Sequence, residues 1–116
     1  MKNEKLDSLC DLITKALASI QRDFKDINPL VGVNQKMREM GVPVDAVTID
    51  CLKSGKRILL ILHDQQHDIL SYQFAFKNQD PGEKFEHIPF NEVTETLLSK
   101  WIKGYFQDDV ANSGNG

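Results

Sequence analysis

A chain of 116 residues, 41% hydrophobic and 27% charged, suits a single soluble domain with one core. Its net charge of −3 argues against a nucleic-acid partner, because such surfaces carry a basic excess or stripe. The longest aliphatic run, "ILLIL" at 58–62, is far too short to span a bilayer, and the charged opening "MKNEKLDSLCDL" leads into no apolar run of signal-peptide length. A cytoplasmic protein with no membrane association is therefore expected. Cys10 and Cys51 fit that setting as buried, unreactive thiols, since neither is flanked by an evident base.

The first element is a helix over residues 3–26. Leu6, Leu9, Ile13, Ala16, Leu17, Ile20, Phe24 and Ile27 recur at three- and four-residue steps, and most charged residues lie off that stripe. Asn28-Pro29 ends it, because the residue before proline disfavours helical backbone. A shorter helix is predicted over 30–40, with Leu30, Val33, Met37 and Met40 on one face and Gly41 as its C-cap.

From Val44 the hydrophobic period changes to two, which predicts strands. Val47, Ile49 and Cys51 form one apolar row, and "RILLILH" at 57–63 supplies the next strand. A two-residue Ser54-Gly55 loop would set Cys51 opposite Ile58, Ile49 opposite Leu60 and Val47 opposite Leu62. Asp50 then points to the other face, toward solvent or Arg57. The third strand, 69–77, alternates Leu70, Tyr72, Phe74 and Phe76 with small and polar residues. Pairing Leu62 with Leu70 puts this row on the face of Leu60, and it requires an odd-numbered loop such as 64–68. Asp80-Pro81-Gly82 is a turn, and "KFEHI" at 84–88 a short returning strand that sets His87 opposite the middle of the third. A last helix is predicted over 92–106. Asn91 is its expected N-cap, and Val93, Leu97, Leu98, Trp101, Ile102, Tyr105 and Phe106 form a broad apolar face. The expected fold is thus α+β: an N-terminal helix, a short second helix, an antiparallel meander of three or four strands, and a C-terminal helix. Residues 1–106 form the domain and 107–116 a flexible tail.

Candidate chemistry centres on "HDQQHD" at 63–68. His-x-x-x-His binds zinc when a helix puts both rings on one face. Between two strands that geometry is lost, so the expected role is a polar hairpin loop. His63, His67, Asp64 and Asp68 remain weak metal candidates, and no cofactor is expected. The basic "KSGKR" at 53–57 lacks the spacing of a phosphate loop, and no nucleophile elbow or Cys/His signature occurs. No catalytic residue is assigned; any activity would have to use His63, His67 or His87.

"ILLIL" is apolar at every position, which a strand covered on both faces tolerates. Leu59, Ile61 and Leu52 then need cover from helices on the second face or from another subunit. A protein-interaction module, with a protein partner or a second copy of itself, is the expected function. Tyr72, Phe74, Phe76, Trp101, Tyr105 and Phe106 form its candidate partner surface, or alternatively a small-ligand pocket between sheet and last helix. In size, acidity and mixed helix–sheet content the chain resembles small acidic secretion chaperones, a likeness that no motif carries.

Overall fold

The computed structural model describes residues 4–23, 29–66, 68–77 and 84–115. Helix α1 (Glu4–Asp23) opens the chain and α3 (Glu95–Asn115) closes it. Between them run five strands: β1 (Leu30–Asn34), β2 (Val44–Asp50), β3 (Lys56–His63), β4 (Ile69–Phe76) and β5 (Glu86–Pro89), with one helical turn, α2 (Lys36–Glu39), after β1. The strands form one antiparallel sheet in chain order, β1-β2-β3-β4-β5. The α+β class stands, with one more strand than expected.

The extra strand replaces most of the predicted second helix. Leu30, Val33, Met37 and Met40 do not share a buried helical face; all four are exposed. Two β-branched valines around Gly32 favour extended backbone, and Pro29 already holds the entry extended. Gly32 also suits its place opposite Thr48, whose Oγ1 would lie 3.1 Å from a β-carbon there. The glycine stop at Gly41 is as predicted. Its φ is +93°, the Gly41 N–H donates to the Arg38 carbonyl at 3.0 Å, and the Val42 N–H donates to the Met37 carbonyl at 2.8 Å.

The β2–β3 hairpin preserves the predicted face but shifts the register by two. Ile49 faces Ile58 and Val47 faces Leu60, where Leu60 and Leu62 were expected opposite them. The loop is longer than Ser54-Gly55: the Cys51 N–H donates to the Lys56 carbonyl, and the Gly55 N–H closes back on the Cys51 carbonyl, both at 2.8 Å. Gly55 takes a φ of +76° at its end. The β3–β4 register matches expectation, with Leu62 opposite Leu70, Leu60 opposite Tyr72 and Ile58 opposite Phe74.

Both long helices pack on the face carrying Val47, Ile49, Ile58, Leu60, Leu62 and Leu70. Helix α1 contributes Leu9, Ile13, Ala16 and Ile20, and α3 contributes Leu98, Ile102 and Phe106. Phe24 and Ile27, predicted to extend the α1 stripe, lie outside the described residues, as do His67 and the Asp80-Pro81-Gly82 turn. Helix α3 starts later than predicted, because residues 90–92 make a 3-10 turn and Val93 is extended. Its cap is Thr94 rather than Asn91: the Thr94 Oγ1 accepts the Leu97 N–H at 3.1 Å, and Val93 and Leu98 are buried on either side of this cap. The helix continues in its backbone to Asn115.

Candidate functional site

The second face of the sheet carries neither long helix. Alternation places Val44, Ala46, Leu59, Ile61, His63, Ser71 and His87 on it. Val44, Ala46, Leu59 and Ile61 form a small buried cluster against which Phe85 packs. Neither long helix supplies the cover that Leu59 and Ile61 were expected to need. Leu59 and Ile61 are buried in this cluster, while Leu52, in the β2–β3 turn, stays exposed.

Over this cluster lies a groove of about 680 Å³. Val44, Ile61 and Ser71 line it, Met37 and Val42 form one side, and residues 84–87 the other. A second hollow of about 540 Å³ adjoins it, shares Val42, Val44 and His63, and runs on to Gln65 and Gln66. Met37 and Val42 come together here because the glycine cap at Gly41 folds the chain back at the end of α2. At the opposite wall, the buried Ser71 Oγ and the His87 Nδ1 share a hydrogen bond of 2.9 Å whose direction follows the ring's tautomer. His87 pairs with Ser71, near the start of β4, rather than with its middle as predicted. That pairing brings His63 and His87 to the same groove.

An ion cluster ties α2 to β2 and to the histidine turn. Asp45 has no solvent exposure. Its Oδ1 accepts from Arg38 Nε at 2.8 Å and from Gln35 Nε2 at 3.2 Å, and its Oδ2 accepts from Arg38 Nη2 at 3.1 Å. The same guanidinium meets Asp64 through Nη1 at 2.8 Å and Nη2 at 2.7 Å. Arg38 therefore binds β2 to the histidine turn with two bidentate pairs. Its hydrogen bonds to Asp64, then to Asp45, raise its pKa above the ordinary arginine value. At the far end of the sheet, Arg57 Nε meets Asp50 Oδ1 at 2.6 Å across the β2–β3 hairpin, the pairing anticipated for Asp50. That hydrogen bond likewise raises the Arg57 pKa.

Three of the four metal candidates of the turn, His63, Asp64 and Asp68, are described. Both Asp64 oxygens face Arg38, Asp68 lies 3.4 Å from Lys5 Nζ, and His63 lines the groove. Among the described residues no group of three His, Cys, Asp or Glu side chains has the arrangement of a metal site. Both cysteines are free, Cys51 buried and Cys10 half-buried. Burial, and then the Asp7 charge, raise the Cys10 thiol above its ordinary pKa.

The predicted aromatic surface is partly assembled. Tyr72 stacks on Trp101 with centroids 4.3 Å apart, and Phe74 lies 6.0 Å from Trp101 and 5.0 Å from Tyr105. The Tyr105 hydroxyl donates to the Ala75 carbonyl at 2.7 Å. Lys56 Nζ sits over the Tyr105 ring and donates to its carbonyl at 3.0 Å. Phe106 belongs to the core, whereas Phe74 and Phe76 are 42% and 44% exposed. A hollow of about 490 Å³ adjoins Phe74, Trp101, Gly104 and Tyr105. The groove itself was not anticipated. Its one sequence signal was the unbroken "ILLIL" run, which demands apolar neighbours on both faces of β3.

No helix among the described residues is long and apolar enough to cross a membrane. The chain matches no family model, and no curated protein or solved structure is significantly similar to it.

Proposed function

We propose that the protein is a small cytoplasmic protein-interaction module that holds an extended segment of a partner chain along the groove on its second sheet face. The observation behind this reading is the pair of adjoining hollows there, with Val44, Ile61, Met37 and Val42 in reach of a ligand. Apolar floors with a few polar groups at the margin favour alternate side chains of an extended peptide. Methionine at the wall adapts its shape to differing side chains at small cost. The two free cysteines support a reducing compartment.

The test is selection of peptides from a random display library on the purified protein, followed by affinity measurement with the Met37→Ala/Val42→Ala variant. Both residues are exposed in the groove wall, so the variant should retain the fold. Selected peptides are expected to bind at least about tenfold more weakly to it, roughly the loss of 1.4 kcal/mol. Failure to select any peptide, or unchanged affinity in the variant, would refute the reading. The hollow beside Trp101 supports a second reading, a small aromatic ligand at the sheet–helix junction, which quenching of the single tryptophan would report.

A further inference from the structure

We infer that β1 is a self-association edge, and that two copies of the chain pair β1 against β1 in antiparallel fashion with the two-fold axis through Gly32. Among the described residues β1 pairs with β2 alone, so its other side is a sheet edge. Leu30, Val31 and Val33 are 52%, 40% and 49% exposed. Val31 and Val33 lie on the face of Ile49 and Val47, yet neither belongs to the core that α1 and α3 cover. Leu30 lies on the opposite face. Apolar side chains are thus exposed on both sides of one strand. Edge strands are ordinarily blunted by lysine, proline, a bulge or a covering segment. The sequence "LVGVN" contains no charged residue and no proline, and its pairing with β2 runs unbroken from Leu30 to Asn34.

The sequence also indicates a second copy as the occupant. Two copies related by a two-fold axis present the same alternate residues' backbone groups outward. Only residues of equal parity can then face one another in an antiparallel ladder. Of the registers this permits, the one centred on Gly32 pairs all five residues. It sets Gly32 on Gly32 and Val31 on Val33 of the partner subunit, because "VGV" reads alike in both directions. Four valines then form one apolar cluster across the axis, on the side of the sheet that carries the helices. The result is a continuous ten-stranded sheet with the helices of both copies on one face and both grooves on the other. A five-residue ladder is small beside a standard interface of about 1,200–2,000 Å², so the dimer should be reversible. The inference does not depend on what occupies the groove, since the purified chain alone tests it.

The experiment is sedimentation velocity of the purified full chain from about 5 µM to 500 µM, a range that brackets a dissociation constant of about 50 µM. The wild type is compared with Val31→Lys/Val33→Lys and Val31→Lys/Val33→Glu, and circular dichroism checks the fold of each. In the proposed register position 31 faces position 33 of the partner subunit. The double lysine variant therefore opposes like charges and should stay monomeric throughout. The lysine–glutamate variant opposes unlike charges and should dimerise as the wild type does or more strongly. A wild type that remains monomeric, a dimer indifferent to the double lysine change, or a dimer lost equally in both variants would each overturn the inference. An indifferent dimer would point instead to the exposed Phe74 and Phe76 beside α3.

Discussion

Asp45 and Arg38 divide one interaction unequally. Asp45 has no solvent exposure, whereas Arg38 keeps about a third of its side chain in water. Removing the arginine withdraws its guanidinium contacts from a carboxylate that water does not reach; removing the carboxylate charge leaves the arginine with Asp64 and solvent. Arg38→Ala is therefore expected to lower the thermal midpoint by roughly 5–10 °C, and Asp45→Asn by less than half as much. Thermal denaturation by circular dichroism gives the order, and equal losses would contradict this account. The thiols provide a second check. Burial, and then the Asp7 charge, raise the Cys10 thiol above its ordinary pKa, so iodoacetamide should modify it at pH 8 more slowly than in the urea-unfolded chain. The sign for stability follows from the same shift. The unfolded thiol ionises first as pH rises, so stability is full below the unfolded thiol's pKa and falls as pH climbs from it through the folded value. At this scale the sequence was only partly legible. The Asp50–Arg57 pair follows from hairpin neighbours, but Asp64 finds Arg38 across 26 positions, through a glycine-capped turn whose exit no local pattern encodes.

Apolar alternation fixes which face a strand presents but is insensitive to a shift of two residues. This explains why the β2–β3 face was legible while the register was not: a four-residue loop and a two-residue loop bury the same side chains. The β3–β4 register was legible because its competitor differed by one residue and would have moved Leu70 and Tyr72 away from Leu60. The first half of the predicted second helix failed for a related reason. Leu30, Val33, Met37 and Met40 satisfy a helical spacing, but so short a run with β-branched residues and Gly32 satisfies a strand equally, and edge pairing to β2 decides. Two element ends can be tested directly. Thr94→Ala should cost about 1 kcal/mol by removing the acceptor of the Leu97 N–H, whereas Asn91→Ala should stay within about 0.5 kcal/mol. Gly55→Ala should cost about 1–2 kcal/mol, because its φ of +76° is strained for any residue with a β-carbon. Urea titrations of the three variants measure these directly, and a larger loss at Asn91 than at Thr94 would restore the original cap.

Across the whole molecule, burial is graded from the centre of the sheet to its edges. β3 lies between β2 and β4 with Ile58–Leu62 buried on both faces, although both long helices pack on one face. The unbroken apolar run announced that double burial. It did not show that Phe85, and neither long helix, would pack on the second face, since cover by any apolar group leaves the same pattern. β1 is the opposite case: it is paired on one side and exposed throughout. Hydrogen exchange should therefore separate the two strands. Backbone amides of Ile58–Leu62 have no route to solvent short of global unfolding, and their exchange should track the stability measured by denaturant. Amides of Leu30–Asn34 open with the edge alone. In the monomeric Val31→Lys/Val33→Lys variant they should exchange at least about a hundredfold faster than those of β3, a gap of roughly 2.7 kcal/mol in opening free energy. In the wild type, the same β1 amides should gain protection as protein concentration rises while β3 stays unchanged, because pairing two copies at Gly32 removes the edge without touching the core. Equal protection of β1 and β3 in the monomeric variant would mean that the sheet opens as one unit, and that β1 is held by more than its ladder to β2.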